Sequence, residues 1–462
     1  MGRVMRRQLL ALAAAVGILV GVVPVTLAAD WATFGSPTVE SSFETGVRFS
    51  QPMTVSKAAA RAELLLTTAD ALGPTVIDVS SPPTSGAGTL THLLDPAEGH
   101  ILPNTKLVAR WRLVAADDPT DVALGPEIAV TYADDRFQWQ TESGDVVRVH
   151  WVQGSAAFGR RALRIAEDAI RETSDLLGVT ETEPIDFYIY PDEDSFRGAI
   201  GPGIRETVGG LAVADIRTLF ALIPPNQIDD AWVGIVIPHE LTHLVFNTAS
   251  KNPYHFPPHW LNEGLADYVS QGYDRDYRNA VSDAAKDDSL IPLDGLTGQF
   301  PTQSSRFYLA YAESVSAVDY LVRTYGDDAL VALIRSYADG RTDDEAFSAA
   351  LGVDVAAFGT AWLADVNGTA PERLGPQPAP SGPLPAAWTG SGGGTTASPP
   401  ANAGASVVPG ANGGPSPAPG AGSATAGDVP GWMAPLLATV GVVVVIVLLV
   451  AARRSRPSTG VS

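Results

Sequence analysis

Four of the seven histidines in this chain lie between Ile235 and Gln271, in the text IVIPHELTHLVFNTASKNPYHFPPHWLNEGLADYVSQ. His239 and His243 are four residues apart, with Glu240 between them. On a helix that spacing puts both imidazoles on one face, where they can bind one zinc ion, and it directs Glu240 at the same region. A catalytic zinc needs a third protein ligand and an open position for water. Glu263, twenty residues after His243, is the candidate. Asp267 lies four residues further on, shares the helix face of Glu263, and can accept a hydrogen bond from the outer nitrogen of a ligand histidine. The surrounding residues Trp260, Leu261, Leu265, Ala266 and Tyr268 are apolar or aromatic. A carboxylate among them calls for a partner, because burying one unpaired is costly. The chain has no cysteine, so any metal must be held by histidine and carboxylate.

The text PHELTHLVF followed by WLNEGLADY resembles the gluzincin metallopeptidases, and within them the peptidase MA-like family. The resemblance covers roughly Asp145 to Val366. It implies a thermolysin-like catalytic domain with His239, His243 and Glu263 as Zn2+ ligands, Glu240 as general base and Asp267 behind a ligand histidine. The chemistry it implies is peptide-bond hydrolysis by zinc-activated water, with Glu240 carrying the proton to the leaving amine. A tyrosine commonly supplies a further oxyanion donor in gluzincins. Tyr254, Tyr308 and Tyr311 are candidates here, and Tyr311 is chosen because YAESVSAVDYL resembles a later helix of the family. The strand-like GGLAVAD, residues 209–215, could form the sheet edge on which an extended peptide lies. No G-x-M-E-N stretch of the aminopeptidase branch is present, so an endopeptidase is expected over an aminopeptidase. His255 and His259 read as histidines of the proline-broken NPYHFPPHW. His92, His100 and His150 have no partner at metal-like spacing.

These residues need helices to hold them and a sheet beside them. Helices are expected at 229–250 and 258–271. Pro238 leaves two possibilities: a kinked helix, or one that starts at the proline. DVVRVHWVQ and PIDFYIYP read as strands, SAAFGRRALRIAEDAIRETSDLLG as a helix ending at Gly178, and SSRFYLAYAESVSAVDYLVRTYG as a later helix. Strands first and helices after make an α+β unit over 144–368. Before it, KLVARWRLVA alternates with Leu107, Ala109, Trp111 and Leu113 on one face. With ARAELLLTT and EIAVTYA, this predicts an all-β, immunoglobulin-like sandwich over 30–143.

The ends predict a location. Arg3, Arg6 and Arg7 precede an apolar run and small residues, a secretory signal over 1–29. From Gly375 to Gly427 no residue is charged, so 369–430 reads as a Pro/Gly/Ala/Ser tether, with a reach on the order of 40 Å as a flexible coil. Residues 431–452 are expected to form a transmembrane helix, and Arg453, Arg454 and Arg456 open a cytoplasmic tail over 453–462. The expected protein is a single-pass cell-membrane peptidase with an extracellular catalytic domain and peptide or protein substrates. A net charge of -21 argues against nucleic acid. A catalytically idle surface binding or adhesion protein on the same fold is the alternative, and intact Glu240 favours the enzyme.

Overall fold

The alternating apolar residues of the N-terminal part become eight strands: β1 (Ala32–Phe34), β2 (Thr38–Ser42), β3 (Gly46–Val55), β4 (Ala59–Thr68), β5 (Thr75–Asp78), β6 (Gly86–Leu94), β7 (Thr105–Ala115) and β8 (Val122–Tyr132). One helical turn, α1 (Pro96–Gly99), precedes β7. The structure is a computed structural model and describes residues 29–370 apart from 44, 70, 80, 100, 202–208 and 253–254. One antiparallel sheet holds β3 paired with β1, β2 and β6; the other has the order β5-β4-β7-β8. The two share a core in which Val47 and Phe49 of β3 meet Leu64, Leu107, Trp111 and Leu113. This is the expected sandwich, built by period-2 alternation.

The second unit opens with β9 (Gln140–Ser143), β10 (Val147–Trp151), α2 (Ala156–Leu177), β11 (Ile185–Tyr190), α3 (Glu193–Ile200), β12 (Gly210–Val213) and β13 (Thr218–Leu222). Its five-stranded sheet has the order β12-β13-β11-β10-β9, with β10, β11 and β13 parallel and the two edges antiparallel. The expected boundary at 143/144 is therefore four residues late on hydrogen-bonding grounds, since β9 pairs with β10 from Gln140 to Ser143. The helix α2 ends where Gly178 takes the left-handed φ of 61°.

Seven helices complete the unit: α4 (Val233–Ser250), α5 (His259–Ser270), α6 (Arg275–Lys286), α7 (Ser304–Tyr325), α8 (Asp327–Ala338), α9 (Asp343–Leu351) and α10 (Val355–Asp365). The open question at Pro238 is answered by α4, which runs through the proline. Asp229–Trp232, expected to be helical, form turns instead, closed by Asp230 N–H to Gln227 and Val233 N–H to Asp230. A Cβ on Gly264 would stand 2.4 Å from the Ser314 carbonyl oxygen, so glycine is what allows α5 to approach α7 this closely. The segments expected as signal, most of the tether, transmembrane helix and tail lie outside the described residues. Among the described residues no single helix is long and apolar enough to cross a membrane.

Candidate metal centre

The middle of α4 and the first half of α5 face each other and bring His239, His243 and Glu263 together. Their ligating atoms all lie within 4.8 Å of one another, and all three residues are buried. His239 Nε2 is 3.5 Å and His243 Nε2 is 3.7 Å from Glu263 Oε2. These spacings exceed ordinary hydrogen-bond lengths, and none of the three atoms has a hydrogen-bond partner among the described residues. Three buried, unpartnered polar atoms converging on one point are a costly arrangement unless a cation joins them. Two imidazole nitrogens and one carboxylate oxygen suit zinc, with a fourth position left open.

The outer nitrogens are fixed by groups that accept here. His239 Nδ1 donates to Asp267 Oδ1 at 3.1 Å, and His243 Nδ1 donates to Asn262 Oδ1 at 2.9 Å. Each Nδ1 therefore carries a proton, and each Nε2 faces the cluster. Burial works against a charged His239, but Asp267 and Glu263 beside it raise it to about 10; at 3.5 Å the Glu263 contribution is mainly one of charge. Burial lowers His243. Burial also opposes ionisation of Glu263, yet the imidazoles around it hold the carboxyl at about 2.

Glu240 lies one residue along from His239, with Oε2 accepting the Ala212 N–H of β12 at 2.9 Å and Oε1 buried without a partner. Burial raises its carboxyl to about 7, with Glu263 adding to the rise and His239 and the Ala212 N–H opposing it. A Cβ on Gly210 would stand 2.8 Å from Glu240 Cγ, so glycine at the start of β12 is what lets the strand lie against this side chain. Among the described residues, the stretch read as an edge strand forms an edge of the sheet beside Glu240.

Asp267, 1% exposed, lies behind His239. The ring of Tyr311 lies 6.5 Å from that of His239, packed against Phe300 and Phe307. Tyr308 packs on Tyr277 instead, and Tyr254 lies outside the described residues. His255 reaches away from the cluster to Asp343 at 3.2 Å. His259, read as a residue of the broken connection, is the first residue of α5, and its Nε2 is 3.6 Å from Glu263 Oε1. The i, i+4 spacing of His259 and Glu263 was the available sequence clue to that approach. Asn262, in the text WLNEGLADY, gains its role only from the fold, which sets its Oδ1 against His243 Nδ1.

Residues 165–368, a little under half of the chain, match the family model of the Peptidase MA superfamily. This bears out the resemblance: over these residues the second unit is similar to the Peptidase MA superfamily. No curated protein matches the chain. Among solved structures, an M1 zinc metallopeptidase from Deinococcus radiodurans is 14% identical, with 73% of this chain and 93% of that one covered and a TM-score of 0.35. An aminopeptidase N family protein from Idiomarina loihiensis is 12% identical, covering 74% of this chain and 77% of that one, with a TM-score of 0.37. Legionella pneumophila aminopeptidase A in complex with aspartic acid is 10% identical, covering 72% and 49%, with a TM-score of 0.36.

Proposed function

We propose that the chain is a zinc-dependent peptidase, with His239, His243 and Glu263 holding the metal and Glu240 as general base. The observation that carries this reading is the convergence of three buried, unpartnered ligand atoms beside the free Oε1 of Glu240. A zinc ion held there would polarise a carbonyl and bring the pKa of bound water toward neutrality. The rest is work for the chain's own groups. Ala212 N–H anchors one oxygen of Glu240 and leaves the other to take a proton from the attacking water. Burial raises this carboxyl above its ordinary value, which suits a group that accepts that proton and later gives it up to the leaving amine. The free edge of β12 accommodates an extended peptide by strand addition. Tyr311, with its ring near His239, is assigned the second oxyanion donor.

Endopeptidase action is the narrower reading. It rests on β12, whose residues Gly210, Leu211, Ala212 and Val213 include no carboxylate to hold a substrate amine. The outward, membrane-tethered location is also part of the proposal and rests on the arginines that flank the two apolar ends.

The test is metal analysis of the purified chain together with cleavage of peptide libraries with free and with blocked N-termini. About one zinc per chain is expected, with cleavage of both libraries. Glu240→Gln should keep the zinc and lose the cleavage, because an amide cannot take the proton. Protein that binds no zinc, or a glutamine variant as active as the parent, would overturn the assignment.

A further inference from the structure

How well His239 serves as a ligand depends on which ring nitrogen carries the proton and on how the ring is turned, and both depend on Asp267. Asp267 is itself held from behind. Gln271 Nε2 donates to Oδ1 at 3.1 Å, the oxygen that also receives His239 Nδ1–H. The Tyr277 hydroxyl donates to Oδ2 at 2.9 Å. The local chain explains both contacts. Gln271 is one helical turn after Asp267 at the end of α5, and Gly272, at φ 73°, turns the chain back. Asp274 then caps α6 by accepting the Tyr277 N–H at 2.8 Å, which places Tyr277 in the first turn, facing α5. The Tyr277 ring is 5% exposed and lies 5.4 Å from that of Tyr308 on α7, so its position is packed as well as hydrogen-bonded.

We propose that Tyr277 and Gln271 are positioning residues of the metal site: together they lock the Asp267 carboxylate so that it accepts His239 Nδ1–H and leaves Nε2 to the cation. This rests on the zinc reading above. Loss of the Tyr277 hydroxyl would leave Oδ2 buried without a donor and free the carboxylate to turn. Replacement of groups directly behind ligands typically costs 10–100-fold in metal affinity. One shell further out, the lower end is expected, so Tyr277→Phe should weaken zinc binding by roughly tenfold and Gln271→Ala by a smaller factor.

The experiment titrates zinc into the full chain against a chromophoric chelator, for the parent, Tyr277→Phe, Gln271→Ala and Tyr337→Phe, with thermal melts of each. The Tyr337 hydroxyl donates to Asp343 Oδ1 at 3.0 Å, the same kind of pair outside the metal cluster. Its loss should lower stability and leave zinc affinity unchanged. Visible spectra of the cobalt-loaded proteins should differ from the parent for Tyr277→Phe and match it for Tyr337→Phe. In an Asp267→Ala background, Tyr277→Phe should have no further effect on zinc. A parent that binds no zinc overturns the zinc reading itself. A parent that binds zinc while Tyr277→Phe binds as tightly, or while Tyr337→Phe loses as much, overturns the positioning role. Should Tyr277→Phe not fold, an unchanged zinc affinity in Gln271→Ala overturns it equally.

Discussion

Glu240 meets two opposing demands because its two carboxylate oxygens have different surroundings. Oε2 is tied to the backbone of β12, which gives the side chain one direction, while Oε1 has no partner and remains available for a proton. Burial provides the basicity. In the proposed function Tyr311 has the complementary task of stabilising negative charge. Tyr311→Phe removes one hydroxyl and little volume, so kcat should fall by roughly 10²–10³ with zinc content unchanged. Steady-state kinetics with metal analysis on the same preparation check this. An unaltered kcat would exclude Tyr311 and turn the search to Tyr308 and Tyr254.

Helices α4 and α5 carry the two halves of the centre, and the close approach of α7 to α5 depends on one missing side chain at Gly264. The same helix α7 buries Glu313, whose two oxygens receive the Ile291 N–H at 2.9 and 3.1 Å from the segment after α6. Burial pushes this carboxyl up to about 8, against the pull of the Ile291 N–H and the Arg306 charge. The folded protein thus holds a proton that the unfolded chain releases above the ordinary value of 4.5. Glu313 therefore costs no stability below that value, and the cost grows as pH rises toward about 8. Glu313→Gln, which imitates the protonated form, should raise the melting temperature over the parent more at pH 9 than at pH 5. Equal gains at both pH values would show that Glu313 ionises normally in the fold.

The sandwich and the second unit are joined by more than chain connection. Asn104, in a left-handed conformation with φ 70°, donates to Asp186 Oδ2 at 2.9 Å and to Thr218 Oγ1 at 2.8 Å. Arg148 grips the same Asp186 through two bonds of 2.7 Å. Charge-assisted bonds to one buried carboxylate thus tie the loop before β7 to the ends of the central strands. The two units should travel together when the chain is cut. Protease added to intact cells is expected to cut in the uncharged Gly/Pro stretch and release a body spanning about 30–430, both units still attached. Immunoblotting of the medium reads this directly, and full protection of the body would refute the outward location.

The pairing of His239 with His243 was legible because it is local: helix geometry alone sets the relation between residues four apart. The same holds for Glu263 with Asp267, and for the strand alternation through Trp111. The link between the two helical pairs came from the family resemblance, and the docking of α4 on α5 realises it through packing of apolar faces. Passage of α4 through Pro238, the hold of Asn262 on His243, the approach of His259 to Glu263 and the grip of Tyr277 and Gln271 on Asp267 were not legible. Each of these depends on the angle and depth at which separate elements pack. That geometry is set by the summed fit of many buried side chains and by glycines such as Gly210 and Gly264 that permit close approach. Local spacing says which residues can share a face; only the packed tertiary structure decides which faces meet.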